Sequence, residues 1–323
     1  MTLALTALAA LAASILLTRA MIPWLAERGA VASENARTMH QGQVPKGGGL
    51  ALLSAALAAG VMFSPLSTLD PVLIAGVAIL AYLSWRDDLA PLPASIRLPI
   101  HLGVAALFVL NLPGGALVFQ GWLPLVLDRA ITIIALGWMM NLYNFMDGVN
   151  GIVGVETIAI TLGYVLIGLI TAAHSYDALA AGLMGASAGF LFWNMRTKPL
   201  VFLGDVGSVP LGFLIGALMI DLAVKGHWAA ALILPSYFLA DSTLTLLMRL
   251  SRGEKPWEAH KTHFYQRAAA ALGSHLAAVY RIAIANIALI AAAIWSLAAP
   301  WLGVTTAAFI VLGLLYALVR ARA

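Results

Sequence analysis

No cysteine occurs in the 323 residues. Disulfides, thiolate nucleophiles and zinc–thiolate centres are therefore excluded. Charge is scarce as well: Asp, Glu, Lys and Arg make up 10% of the chain, where a soluble domain carries about 25%. No Walker A phosphate loop is present, which argues against an ATPase, and acyl transfer by a serine nucleophile is given no support. The first apolar run, Thr2 to Ala26, has no basic stretch in front of it. It is therefore expected to be a retained span rather than a cleaved signal peptide.

What is present is apolar. Hydrophobic residues make up 62% of the chain, and the mean hydropathy is +0.94. A membrane span needs about 20 apolar residues. That rule predicts an all-α polytopic membrane protein with about eleven transmembrane helices in one domain, 1–323. The spans are expected at roughly 2–22, 48–64, 71–85, 97–112, 122–140, 152–172, 178–194, 209–224, 228–248, 276–298 and 302–320. Alanine and glycine should line the helix contacts.

The formal charge of +4 reports orientation rather than nucleic-acid binding. Basic residues gather in alternate loops, from Arg28, Arg37 and Lys46 through Arg86, Arg97, Arg196 and Lys198 to Arg249, Lys261, Arg267 and Arg320. The positive-inside rule puts those loops in the cytoplasm, with the amino terminus outside and the carboxyl terminus inside. The cytoplasmic loops then fall at about 25–47, 86–96, 141–151, 195–208 and 249–275.

The same loops carry the polar motifs. Gly47, Gly48 and Gly49 open a helix, where free backbone N–H groups suit an anion. Arg37, His40 and Lys46 would add cationic donors, and a flexible basic loop is the plainer alternative. Asp87 and Asp88 repel each other unless a metal or arginines join them; a capping pair before the Pro91 and Pro93 turn is the alternative. Asn144, Asp147 and Asn150 recur every third residue and would share a face on a helical turn. Asp205, between two glycines before a helix, suits either a cap or a Mg2+ ligand. His260 and His263 would share a helical face with Arg267 one turn on. Carboxylates around Mg2+ with Arg, Lys and His donors are the equipment of phosphoryl transfer, where a protein mainly positions groups and neutralises charge.

In this order the motifs resemble the polyprenyl-phosphate N-acetylhexosamine-1-phosphate transferases of glycosyltransferase family 4, which include the translocase that makes the first lipid intermediate of peptidoglycan. The resemblance runs from Asn35-x-Arg37 and Pro45-Lys46-Gly47-Gly48-Gly49, through Asp87-Asp88 and Asn144-x-x-Asp147-Gly148-x-x-Gly151, to Phe202-Leu203-Gly204-Asp205-x-Gly207-Ser208 and His260-x-x-His263 with Tyr265-Gln266-Arg267. The central motif and the histidine loop look most like the branch that starts O-antigen and related surface polysaccharides. Two departures stand out: Asn150 replaces an aspartate found in many relatives, and Lys46 replaces an arginine, losing the bidentate fork to phosphate.

The resemblance implies a multi-pass enzyme of the bacterial inner membrane with its active site on the cytoplasmic face. It would pass an N-acetylhexosamine-1-phosphate from a UDP-sugar to undecaprenyl phosphate and release UMP. It implies Mg2+, with Mn2+ admissible, held by Asp205 with Asp147 in the same metal and diphosphate site. Asp87 and Asp88 would face the lipid phosphate, and Asn144 would orient a phosphate or the metal shell. Arg37, His40, Lys46, Gly47, Asn150, His260, His263 and Arg267 would bind substrate. The implied partners are UDP-N-acetylhexosamine, undecaprenyl phosphate and the bilayer, with a homodimer admitted and nucleic acid excluded. UDP-N-acetyl-D-fucosamine, UDP-N-acetyl-D-quinovosamine and UDP-N-acetylglucosamine all stay open. A secondary transporter of an anionic substrate is the competing class. It would place ionisable residues near mid-membrane, where the spans are expected to carry almost none.

Overall fold

The computed structural model describes residues 1–28, 31–32, 44–63, 70–172, 175–255 and 260–322. Arg37 and His40, two of the expected phosphate donors, lie outside the described residues.

Apart from one short antiparallel pair, β1 (Val31–Ala32) with β2 (Val44–Pro45), the described elements are helices. Alanine and leucine favour that state, and a helix satisfies its own backbone donors where no water can. Among the described residues six helices are long and apolar enough to cross a membrane: α1 (Thr2–Glu27), α5 (Leu125–Phe145), α6 (Ile152–Thr171), α8 (Asp205–Val224), α12 (His275–Trp295) and α13 (Pro300–Val319). The other expected stretches also fall on helices, but shorter or less apolar ones. They are α2 (Gly49–Phe63), α3 (Pro71–Leu89), α4 (Ala94–Leu110) and α7 (Asp177–Asn194).

The stretch at 228–248 is not one helix. It divides into α9 (Trp228–Ile233) and α10 (Ser236–Ser251) around Leu234 and Pro235. Proline has no N–H to continue the ladder, so the helix stops and restarts there. The polar loop beyond α10 also holds a short helix the hydropathy did not show, α11 (Phe264–Ala271).

Helix α8 is enclosed almost throughout, with α2, α3, α5, α6 and α9 packed on it. On α7, Gly182, Gly185 and Gly189 lie against backbone oxygens of Ala56, Ala7 and Leu11. Small residues thus let helices close backbone to backbone, which lipid-phase packing favours.

The expectation that the spans carry almost no ionisable residues has exceptions inside the bundle. The apolar runs do hold buried ionisable groups: Glu156 of α6 accepts from Asn286 Nδ2 of α12 at 2.7 Å, and Asp241 of α10 is fully buried. Each sits in a run whose average hydropathy hides a single carboxylate.

Candidate active site

Contacts between separate segments draw one end of the bundle together. The N–H groups of Gly47 and Gly48 donate to the Phe202 carbonyl at 3.1 and 2.9 Å, and that of Gly49 to the Leu203 carbonyl at 2.9 Å. This corrects the expectation that the glycines offer an anion cradle, with Gly47 as a substrate contact. Their donors are spent on the Phe202 and Leu203 carbonyls, and the glycines serve close approach. A methyl added at Gly49 would fall on the Cα of Gly207.

Asp88, in the last turn of α3, reaches the start of α8. Its carboxylate is 1% exposed and accepts from the backbone N–H of Asp205 at 3.2 Å and of Val206 at 3.0 Å. It therefore caps α8 from another helix, the role a local N-cap residue plays elsewhere. Lys46 Nζ stands 3.9 Å from it. Asp87 pairs with Arg97 Nη1 at 2.8 Å, and the same nitrogen is 3.7 Å from Asp205 Oδ2. The repulsion within the Asp87–Asp88 pair is thus relieved by one arginine and one lysine. Arg97, which follows the aspartate motif, carries a bridging position that sequence reasoning did not assign.

Asp147 lies in the turn after α5, within electrostatic reach of Asp205, Asp88 and Lys46. Burial, then the charges of Asp205 and Asp88, push its carboxyl well above the usual carboxylate range, while Lys46 pulls the other way. The residue as a whole is half-buried. Asn144, in the last turn of α5, donates from Nδ2 to Ser208 Oγ at 3.2 Å and so joins α5 to α8.

Asn150 does not share this face. Helix α5 stops at Phe145, so the every-third-residue spacing no longer stacks side chains. Asn150 is buried, donates from Nδ2 to the Arg196 carbonyl at 3.2 Å, and stands with its own N–H against His275 Nδ1 at 3.4 Å.

The histidine spacing also works differently from the expectation. His260 precedes α11 and His263 is its N-cap, so the two do not ride one helical face. Their rings nevertheless stack, with centroids 4.9 Å apart. Arg267 is exposed on α11. The segment docks on the central turn: the Tyr265 hydroxyl donates to the Phe145 carbonyl at 2.9 Å, and Tyr265 and Gln266 occupy the space a side chain at Gly148 would need. Asp241, which sequence reasoning passed over, holds His263 Nδ1 at 3.0 Å. The signal was available, since an ionisable residue inside an apolar run is a functional candidate by default.

A Gly-x-Ser-x-Gly run does occur, at Gly185-Ala186-Ser187-Ala188-Gly189. It lies inside α7 with Ser187 fully buried, so it has neither the turn nor the exposure of a nucleophile elbow.

The donor set fits a divalent cation carried with phosphates. Among the described residues no three acidic or histidine side chains close on one point, but Mg2+ is commonly held by one or two carboxylates plus water and substrate phosphates. Asp147 and Asp205 are such a pair of oxygen donors. Because Asp147 holds its proton tightly, a cation must displace it, and metal binding should strengthen as pH rises. The expected result is a lower half-saturating Mg2+ at about pH 7.5 than at about pH 6.5. Titrations of UMP release that superimpose at the two pH values would contradict the assignment of Asp147.

Residues 71–223 match the family model described as Glycosyl transferase family 4. A "Probable undecaprenyl-phosphate N-acetylglucosaminyl 1-phosphate transferase" of Bacillus subtilis (strain 168) is 27% identical, over 83% of this chain and 79% of the relative. The Phospho-N-acetylmuramoyl-pentapeptide-transferase of Chlamydia pneumoniae is 25% identical, over 65% and 67%. That of Picosynechococcus sp. (strain ATCC 27264 / PCC 7002 / PR-6) is 33% identical, over 61% and 57%. The matched region, just under half of the chain, holds Asp87, Asp88, Asn144, Asp147 and Asp205, the carboxylates and amide that the fold gathers at one end, and it is this part of the chain that is similar to glycosyl transferase family 4.

Proposed function

We propose that this chain transfers an N-acetylhexosamine-1-phosphate from a UDP-sugar to undecaprenyl phosphate, giving the lipid diphospho-sugar and UMP. The coarser reading, a polyprenyl-phosphate sugar-1-phosphate transferase of a multi-pass bacterial membrane protein, follows from the relatives and the apolar helices. The finer assignments are ours: Mg2+ dependence, about eleven spans with the amino terminus outside, a cytoplasmic site in the inner membrane, and the first step of O-antigen or another surface polysaccharide.

One observation carries the reading. Lys46, Asp87, Asp88, Arg97, Asp147 and Asp205 come from five separate segments and form a single electrostatic cluster. Such a cluster suits a reaction in which charge is moved between phosphates.

An oxygen of the lipid phosphate attacks the sugar-linked phosphorus. A new P–O bond forms, the bond to the bridging oxygen breaks, and that oxygen leaves with UMP. A phosphate monoester has a second pKa near 6, so the nucleophile is already mostly dianionic at neutral pH. Asp87 is held by Arg97, and it acts by setting charge rather than by taking a proton. Asp147 and Asp205 would hold Mg2+, which when bound neutralises phosphate charge. Lys46 and Arg97 balance the carboxylates and present cationic surface to the phosphates. His260, His263 and Arg267 face the diphosphate or the sugar.

The test is a panel of UDP-N-acetylhexosamines with purified protein, undecaprenyl phosphate and Mg2+. The expected result is stoichiometric UMP and lipid-linked sugar from at least one of them, lost with EDTA. Uptake of an anionic substrate into vesicles without UMP release would favour the transporter and sink the proposal.

A further inference from the structure

Asp241 is a carboxylate inside an otherwise apolar helix, and it sits under the histidine segment rather than among the aspartates. Its environment is made entirely of donors. Oδ1 faces His263 Nδ1 at 3.0 Å and accepts from the Phe264 N–H at 3.1 Å and the Thr245 hydroxyl at 3.4 Å. Oδ2 accepts from the Tyr265 N–H at 3.0 Å and the Tyr237 hydroxyl at 3.1 Å. A carboxylate can accept from all of these groups at once, whereas an asparagine would turn an NH2 group toward two of them. An acceptor-only partner also requires the proton of the neutral His263 ring to sit on Nδ1, leaving Nε2 for any other contact.

The ring so fixed lies between its neighbours. It stacks on His260 at 4.9 Å and on Tyr265 at 5.6 Å, each with planes 28° apart. Tyr265 in turn bonds the Phe145 carbonyl, two residues before Asp147. A buried carboxylate is costly unless its partners are complete. Here they are complete, and they set the tautomer and plane of one histidine while capping the helix that follows it.

We propose that Asp241 is a positioning residue, which acts through His263 to hold the histidine pair in register with the aspartate cluster. This rests on the transferase reading above. Outer partners that orient a functional histidine typically contribute ten- to a hundredfold.

The test uses the full-length protein in detergent, labelled with 15N-histidine, with the His263 signal assigned by its loss in His263→Gln. The expected spectrum has the His263 proton on Nδ1 in the wild type and a mixture of tautomers in Asp241→Asn. In the kinetic arm, Asp241→Asn should lower kcat by about ten- to a hundredfold with KM for the lipid phosphate unchanged. The double variant Asp241→Asn/His263→Gln should be no slower than His263→Gln alone. Additive losses, or a spectrum that Asp241→Asn leaves unaltered, would overturn the proposal. Should Asp241→Asn not fold, the wild-type spectrum decides: a ring protonated only on Nε2 refutes it. Should the wild type release no UMP from any UDP-sugar, the transferase reading falls and the nitrogen spectra alone decide the tautomer.

Discussion

Asp205→Asn is expected to lower UMP release by about a thousandfold, the scale of losing one preorganised charge partner in a phosphoryl or acyl transfer site, while leaving the protein folded. The side chain keeps its shape, and the Asp88 cap is made to the backbone N–H of residue 205 rather than to its carboxylate. What disappears is a negative charge crowded by those of Asp88 and Asp87 and only partly met by Arg97. Removing it relieves like-charge repulsion. In EDTA the variant should therefore unfold at a temperature equal to or above that of the wild type, so that activity and stability move in opposite directions. Measuring kcat beside thermal unfolding in detergent checks both. A large drop in unfolding temperature would make Asp205 a structural residue.

The second large effect is expected at a residue with no side chain. Gly49→Ala should destabilise the protein by about 1–3 kcal/mol, toward the upper end, despite the helix preference of alanine. The added methyl meets the backbone of Gly207 and the carbonyl of Leu203, and no rotamer relieves a backbone clash. The starts of α2 and α8 must part, which lengthens the 2.9 Å bond from Gly49 to Leu203 and shifts Asp205. Activity should fall with stability. Gly103, exposed in α4 with open space around it, is the matched control, and its change to alanine should be neutral or stabilising by up to about 1 kcal/mol. Equal behaviour of the two variants would refute the close packing.

These two residues mark how much of the protein was legible in its sequence. The helices were, because hydropathy is a property of contiguous residues. The gathering of Asp87, Asp147 and Asp205 at one end was also legible, because alternating spans place alternate loops together. What stayed hidden depends on contacts across the chain. The glycine triplet reads as an anion cradle until Phe202 and Leu203 are seen to take its donors. Asn150 reads as a partner of Asp147 until the helix is seen to stop at Phe145. Asp241 disappears in the average over 228–248, a stretch that Pro235 also divides. The stacking of His260 on His263 arises from a cap and a coil, which spacing rules for a helix do not describe.

The anchoring of the histidine segment bears on how substrate preference could be exchanged between relatives. Residues 260–267 take their seat from Asp241 and Tyr237 on the preceding helix and from the turn at 145–148. A graft cut at the visible boundary of the polar loop, near residue 249, would leave its footing behind in the host. A chimera that is to carry residues 260–267 in their own setting needs its crossover upstream of Tyr237 and a glycine facing Tyr265.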